Sequence, residues 1–307
     1  LNCSAAPFDN PQIRQAISLA VDRDKLVGLA ESGAGVAALH PFTPYEWFAP
    51  FIDPLDEMIA AKGYGTSAKP EEVARIMQAN GYAKDDEDMW VDAASERVEI
   101  SMYVPQWLKP YAPPLTQQLR DAGFDAAFDT SPGLASLAQT GEQKAYLGCK
   151  GPSGVRGMDP FMMLSVYTSQ YYRPTGQPAP LWSTTSRWRN EKYDDIVEKV
   201  APLQVGDPEL QRLFLEAMEI WVDEMPDIFL AQLIIRYPLN TSRWTGWPTQ
   251  DDPYGFPHSW QWELLKTFIR LEPRHDVPES VQEDRTAQQP TIRGSASSHA
   301  ISRSNAT

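Results

Sequence analysis

Leu1-Asn2-Cys3-Ser4-Ala5-Ala6-Pro7-Phe8-Asp9-Asn10-Pro11-Gln12-Ile13-Arg14-Gln15-Ala16-Ile17-Ser18-Leu19-Ala20-Val21-Asp22-Arg23 opens the chain, and its reading decides the fold. It reads as an extended segment running into a helix. Asn10 can cap that helix, and Pro11 suits its first position, where the missing N–H costs nothing. Ile13, Ala16, Ile17, Ala20 and Val21 then recur at helical spacing and make one apolar stripe.

Downstream, helix signals return at Pro70 to Asn80, with Val73, Ile76 and Met77 on one face and Gly81 as the stop. Gly33 to Pro54, rich in Gly, Pro and aromatics, reads as a loop. Val98, Ile100, Met102 and Val104 alternate as in a half-buried strand. A helix follows over Pro114 to Ala122, with Gly123 ending it, then strands at Phe124 to Phe128 and Lys144 to Cys149. Strand, helix, strand at this spacing is a βαβ pattern, so the fold class is α/β. Asn190 can cap a helix over Glu191 to Val200, and Asp207-Pro208 opens a longer one that Pro226 ends. Ile228 to Tyr237 is apolar enough for a strand buried on both faces. From Pro278 to Thr307 the chain is Ser, Thr, Gln and Arg with few large apolar residues, the composition of a disordered tail.

The formal charge of -14 argues against a nucleic-acid partner, which needs a basic face. No apolar run approaches the ~18 residues of a membrane helix. Leu1 onward shows neither the charged start nor the apolar run of a signal peptide. The two cysteines, Cys3 and Cys149, read as small buried thiols, with a disulfide open in an oxidising compartment. The histidines, His40, His258, His275 and His299, are spread too far to make a metal motif. Gly33-Ala34-Gly35-Val36-Ala37-Ala38 matches a loose dinucleotide fingerprint, but it follows a helix rather than a strand. No Gly-x-Ser-x-Gly elbow is present. The sequence therefore calls for no metal and no cofactor, and no catalytic constellation presents itself.

Several segments together carry a resemblance. Pro-Phe-Asp-Asn at 7–10 followed by Ile-Arg-Gln-Ala-Ile-Ser-Leu-Ala-Val-Asp-Arg resembles the mid-chain hallmark of the family 5 extracellular solute-binding proteins, the receptors of peptide and oligosaccharide ABC importers. The helix ending in Gly81-Tyr82 before the acidic turn Asp85 to Asp88 is similar to the same family. The resemblance covers about residues 1 to 273 and implies the second half of such a protein. The implied fold is the type II periplasmic binding protein fold, two lobes closing on a ligand, here mainly the C-terminal lobe with a mixed sheet flanked by helices. On that reading residues 1–239 are the C-terminal lobe, 240–273 cross back toward the N-terminal lobe, and 274–307 are the tail.

The resemblance also implies the site. The glycine-rich run Gly148-Cys149-Lys150-Gly151-Pro152-Ser153-Gly154-Val155-Arg156-Gly157-Met158-Asp159 follows a strand, at the edge where open α/β sheets bind ligands. In peptide-binding members the matching loop carries an Asp that pairs with the peptide amino terminus; here the alignment on Asp159-Pro160 puts Arg156 there, and a cation would repel that ammonium. Asp159-Pro160-Phe161, Arg187-Trp188-Arg189-Asn190 and Trp244-Thr245-Gly246-Trp247 resemble the branch that binds β-linked oligosaccharides. Lys150, Ser153, Arg156 and Asp159 are the expected polar contacts. Gln106, Trp107, Trp182 and Trp188, with Trp47, are the expected stacking and amide contacts, since Trp offers a flat apolar face with a polar N–H. The implied function is capture of an oligosaccharide or oligopeptide, in the periplasm or outside the cell, for delivery to ABC permease subunits, without catalysis. The alternatives are a fragment of a carbohydrate-active enzyme and a protein-interaction module.

Overall fold

The computed structural model describes residues 1–149, 159–179, 185–233, 238–249, 251–252, 254–255 and 264–274. Contacts divide the chain into two units, Leu1–Ile235 and Arg236–Thr307.

The opening stretch makes two helices, α1 (Pro11–Leu19) and α2 (Arg23–Ala30). Asn10 caps α1 by accepting from the Gln12 N–H at 2.9 Å. Asp22 caps α2 by accepting from the Lys25 N–H at 2.9 Å, so the apolar stripe is shared between α1 and the turn after it. Strand β1 (Val36–Ala37) follows, and a 3-10 turn at Glu46–Phe48 leads into α3 (Ala49–Ala61). This corrects the expected loop. Pro50 lies in the first turn, where proline is tolerated, and Phe51, Ile52, Leu55 and Ile59 bury one face despite Pro54 inside the helix. Next come α4 (Pro70–Ala79), the short strands β2 (Ala83–Lys84) and β3 (Trp90–Val91), and β4 (Glu99–Tyr103).

From β4 the chain runs through α5 (Ala112–Asp121) to β5 (Asp125–Asp129), then α6 (Leu134–Thr140) to β6 (Ala145–Tyr146). The sheet order is β5-β4-β6, all parallel. The connection therefore leaves β4 on one side and returns on the other. Helices α6 and α7 (Pro160–Ser165) also pass unforeseen, both too short for a clear periodicity. Helices α8 (Glu191–Val200) and α9 (Pro208–Glu224) form as expected. The run from Ile228 does not: only β7 (Ala231–Gln232) pairs, antiparallel with β1, and Ile228 to Gln232 are half-buried rather than covered on both faces. Residues 234–237 lie outside the described residues. Among the described residues of this unit, antiparallel pairing is thus confined to two-residue ladders and one isolated bridge between Val91 and Arg97. Cys3 is half-buried and Cys149 exposed, so neither is the buried thiol that the sequence suggested.

Two apolar cores result. One joins α1, α4, α5 and the sheet through Ile17, Met77, Ile100, Leu115 and Phe124. The other joins α3, α7, α8 and α9 through Phe48, Leu55, Met163, Ile196, Phe214 and Trp221. Buried arginines of the opening stretch tie them together. Arg14, 2% exposed, donates to the carbonyls of Phe8 (2.6 Å), Met225 (3.0 Å) and Glu224. Arg23, equally buried, donates to the Phe229 carbonyl (2.7 Å), the Ser18 carbonyl (3.1 Å) and the Ser18 hydroxyl (2.7 Å).

In the second unit β8 (Trp244–Thr245) pairs antiparallel with β9 (Glu272–Pro273), and α10 (Leu264–Arg270) precedes β9. Arg270 sits over the Tyr254 ring at 4.0 Å and pairs with Asp252 at 3.1 Å. The expected disordered tail, 274–307, lies outside the described residues apart from Arg274.

Burial sets the alkaline limit of this fold. It pushes Tyr64 and Tyr146 up to about 12, and raises Tyr111, whose hydroxyl also donates to Glu31 at 3.0 Å. Tyr82, Tyr167 and Tyr193 move the same way. Each folded tyrosine keeps a proton that the unfolded chain releases near pH 10, so its stabilisation is complete below 10 and is lost as pH rises through its raised folded value, about 12 for Tyr64 and Tyr146. Arg23 works in the opposite sense: desolvation lowers it to about 10, a cost present below that pH and relieved above it. Burial lowers Arg187 and Lys84 in the same way, and the six tyrosines outnumber these three cations. Urea midpoints measured from pH 8 to 12 are therefore expected to hold to about pH 10 and then fall, in step with tyrosinate absorbance.

Candidate functional site

Because β4, β5 and β6 are parallel, their C-terminal ends share one edge of the sheet. Tyr103 ends β4, Asp129 ends β5 and Tyr146 ends β6. The connections diverge at β4, the kind of edge where open α/β sheets bind ligands.

Gln106 and Trp107 begin a 3-10 turn, Gln106–Tyr111, directly after β4. The turn is anchored from within, by buried Leu108 and Tyr111, which leaves Trp107 56% exposed. The Gln106 amide donates to the Thr130 hydroxyl at 3.0 Å, joining the loops after β4 and β5. Hydrogen bonds from Ser131, first its hydroxyl and then its N–H, hold the Asp129 carboxyl below its ordinary range, so this end of the edge carries a fixed anion. On the other side the Tyr103 and Tyr146 rings stack, centroids 5.7 Å apart and 13° from parallel. Burial raises Tyr146 to about 12, which keeps its hydroxyl a neutral donor at physiological pH. The edge therefore presents an exposed indole face, an amide and a carboxylate, with the half-buried Tyr146 phenol beside them. Such a set can stack flat groups and hydrogen-bond hydroxyls or amides. The tyrosine pair escaped the sequence analysis, which weighed tryptophans as ring platforms and not tyrosines at strand ends.

The other expected contacts fall differently. Trp188 is 3% exposed, packs edge-on against Tyr193, and donates its indole N–H to the Glu224 carboxylate at 2.8 Å. That is a core position with no face left for stacking, and it corrects the expected role. The same carboxylate accepts from Asn190 at 2.9 Å, while Asn190 caps α8. Neighbouring Arg187 is buried and donates to the carbonyls of Gln139 (2.5 Å), Thr185 (2.9 Å) and Gln177 (3.1 Å). Gly141, at φ 77°, lies so close to that guanidinium that a Cβ there would overlap it. The segment Arg187 to Asn190 thus locks the fold. Trp47 is half-buried against Phe48, with rings 4.9 Å apart. Asp159 caps α7, accepting from the Phe161 N–H at 2.8 Å. Among the described residues no hydrogen bond or ring contact joins Trp47, Trp107, Asp159 and Trp188 to one another. Lys150, Ser153, Arg156 and Trp182 lie outside the described residues. Also among the described residues, no group of His, Cys, Asp and Glu is placed to hold a metal ion.

Residues 1–186 match the family model for the bacterial extracellular solute-binding proteins, family 5, middle region. The chain belongs to that family. Among curated proteins it is 30% identical over 248 residues to heme-binding protein A of Haemophilus influenzae, covering 78% of this chain and 39% of that protein. It is 25% identical over 238 residues to the glutathione-binding protein GsiB of Salmonella paratyphi A, covering 75% and 41%. The chain thus spans about two fifths of the length of these relatives. Among solved structures, the mannohexaose-bound periplasmic oligopeptide-binding protein of Thermotoga maritima superposes with a TM-score of 0.72 at 18% identity, over 90% of this chain and 51% of that one. The ABC transporter-associated periplasmic binding protein DppA of Helicobacter pylori, in complex with a peptide, superposes at 0.57 and 18% identity, over 75% and 40%. At such identities the structures establish the fold alone, the type II periplasmic binding protein fold. The named relatives are binding proteins. No helix among the described residues is long and apolar enough to cross a membrane.

The two tryptophans separate by stability. Trp188→Ala is expected to cost about 3–5 kcal/mol in urea unfolding, as core truncations of this size do. Trp107→Ala should stay within about 0.5 kcal/mol of the parent. Equal effects would contradict the two placements.

Proposed function

We propose that this chain is the ligand-facing lobe of an ABC-importer receptor, one that captures an oligosaccharide or oligopeptide and delivers it to permease subunits in the inner membrane. The observation that carries the reading is the sheet edge with Gln106 and exposed Trp107, set in a chain of this family. Residues 1–239 form the C-terminal lobe, and 240–273 lead back toward the partner lobe. The receptor works in the periplasm or outside the cell, and it binds without turnover.

The chemistry of the edge favours a sugar. An indole face stacks on a pyranose ring, and amide, carboxylate and phenol groups match its hydroxyls. The expected position of Arg156 disfavours a peptide ammonium. Affinity needs both lobes, because one wall leaves most of a ligand's surface wet. Lys150, Ser153, Arg156, Asp159 and Trp182 are the further proposed contacts, with Gln106 and Trp107.

The test is calorimetric titration of the longer protein with manno- and cello-oligosaccharides and with short peptides. A sugar is expected to bind, and Trp107→Ala to weaken it roughly three- to tenfold, the worth of one ring contact. An unchanged affinity in the variant would remove Trp107 from the site. Binding of peptides alone would overturn the sugar reading, and cleaved oligosaccharides on incubation would favour an enzyme.

A further inference from the structure

A polar cavity of about 270 Å3 lies in the first unit, away from the sheet edge described above. The Asn2 N–H donates to the Lys144 carbonyl at 2.8 Å and the Lys144 ammonium to the Ala6 carbonyl at 3.0 Å, so residues 2–6 run past the start of β6. Ser4 in that run borders the cavity, which places it toward the N-terminal end of the strand, opposite the edge that carries Gln106 and Trp107. Arg14, Arg187 and Arg189 line it together with Asp9, Glu224 and Tyr172.

The charges around it are unbalanced. Arg14 and Arg187 are each 2% exposed, and among the described residues both give their hydrogen bonds to carbonyls and neither forms an ion pair. The Arg187 Nε has no hydrogen-bond partner there at all. A buried charge is costly without a counter-charge, and burial accordingly lowers Arg187 from its ordinary value. Arg189 is exposed; its guanidinium lies 4.9 Å from the centre of the Tyr172 ring, and it makes no hydrogen bond or ion pair among the described residues. Of the two carboxylates, Glu224 already accepts from Trp188 and Asn190. The exposed Asp9 carboxylate accepts no hydrogen bond among the described residues. Three guanidinium groups against two carboxylates leave an excess of positive charge, and one carboxylate is left as a free acceptor.

We propose that this cavity is an oxyanion site, separate from the edge that takes the imported ligand, and that its anion is inorganic hydrogen phosphate. Arg189, steadied by the Tyr172 ring, offers its planar fork to two phosphate oxygens. Buried Arg14 and Arg187 supply the positive field that the anion neutralises. Asp9 sets the choice of anion: a carboxylate repels an oxyanion without a proton and accepts a hydrogen bond from one that carries a P–OH group. Hydrogen phosphate keeps its proton through the neutral and mildly alkaline range. Sulfate has none there, and a phosphomonoester, with its second pKa near 6, has lost its own by about pH 8. The volume holds the anion and several waters. A bound anion joins the opening segment to Arg187, Arg189 and the end of α9, and so stabilises the first unit.

The experiment is calorimetric titration of this chain at about pH 8, in about 0.1 M sodium chloride to screen diffuse attraction, with inorganic phosphate, sulfate and glycerol 1-phosphate. Phosphate is expected to bind with a Kd of about 1 mM or tighter, and the other two at least about tenfold more weakly. Arg189→Gln changes an exposed side chain outside both cores and should weaken phosphate at least about tenfold. Asp9→Asn should bring sulfate to within about threefold of phosphate, a gain that a misfolded variant cannot mimic. The proposal is overturned by no phosphate binding at about 10 mM, or by equal affinity of the parent for phosphate and sulfate. Unchanged phosphate affinity in Arg189→Gln, or continued rejection of sulfate by Asp9→Asn, would overturn it as well.

Discussion

The structure of the first unit depends on two buried guanidinium groups. Arg14 and Arg23 give their hydrogen bonds to backbone carbonyls and one serine hydroxyl. Arg14 thereby satisfies carbonyls that α9 leaves open at its C-terminal end, where a positive charge also suits the helix dipole. Glu224 continues the connection: its carbonyl takes Arg14, and its carboxylate takes Trp188 and Asn190. One path of hydrogen bonds so runs from Phe8 in the sheet core to the cap of α8 in the helical core. Buried carbonyls left unpaired each cost about 1–3 kcal/mol, which makes these arginines hard to replace.

That network explains why the opening stretch is such a strong signature. Its apolar residues are ordinary for an amphipathic helix; the arginines are not, because a charge on the buried side demands fixed partners. Three of those partners, the carbonyls of Glu224, Met225 and Phe229, come from 206 to 211 residues away in sequence. Local periodicity cannot show this, and only the resemblance hinted that Arg14 and Arg23 were fixed features.

The same division governs what else was legible. Helices α4, α5, α8 and α9 announce themselves through caps and apolar faces, and β4 through alternation, all local signals. Helix α3 was hidden because Pro50 and Pro54 read as breakers, while tertiary packing of Phe51, Ile52 and Leu55 decided the matter. Gln106 and Trp107 could be picked out because they follow a readable strand. Trp188 misled for the opposite reason: beside Arg187, Arg189 and Asn190 it looks exposed, and its burial comes from Glu224, 36 residues on. The Tyr103–Tyr146 stack depends on strand register across 43 residues, which sequence spacing does not encode. Ile228 to Gln232 read as a doubly covered strand, yet only Ala231 and Gln232 join a ladder, with β1, and the stretch stays half-buried.

The most direct measurement is equilibrium urea unfolding of Arg14→Met, followed by probes in each core: Trp90 fluorescence for the sheet core and amide exchange in α8 and α9 for the helical core. The parent should unfold in one transition by both probes. The variant should lose about 3 kcal/mol or more, with the helical core melting first. A variant whose two probes still coincide, at a midpoint within error of the parent, would contradict the claim that the buried arginines make the two cores one body.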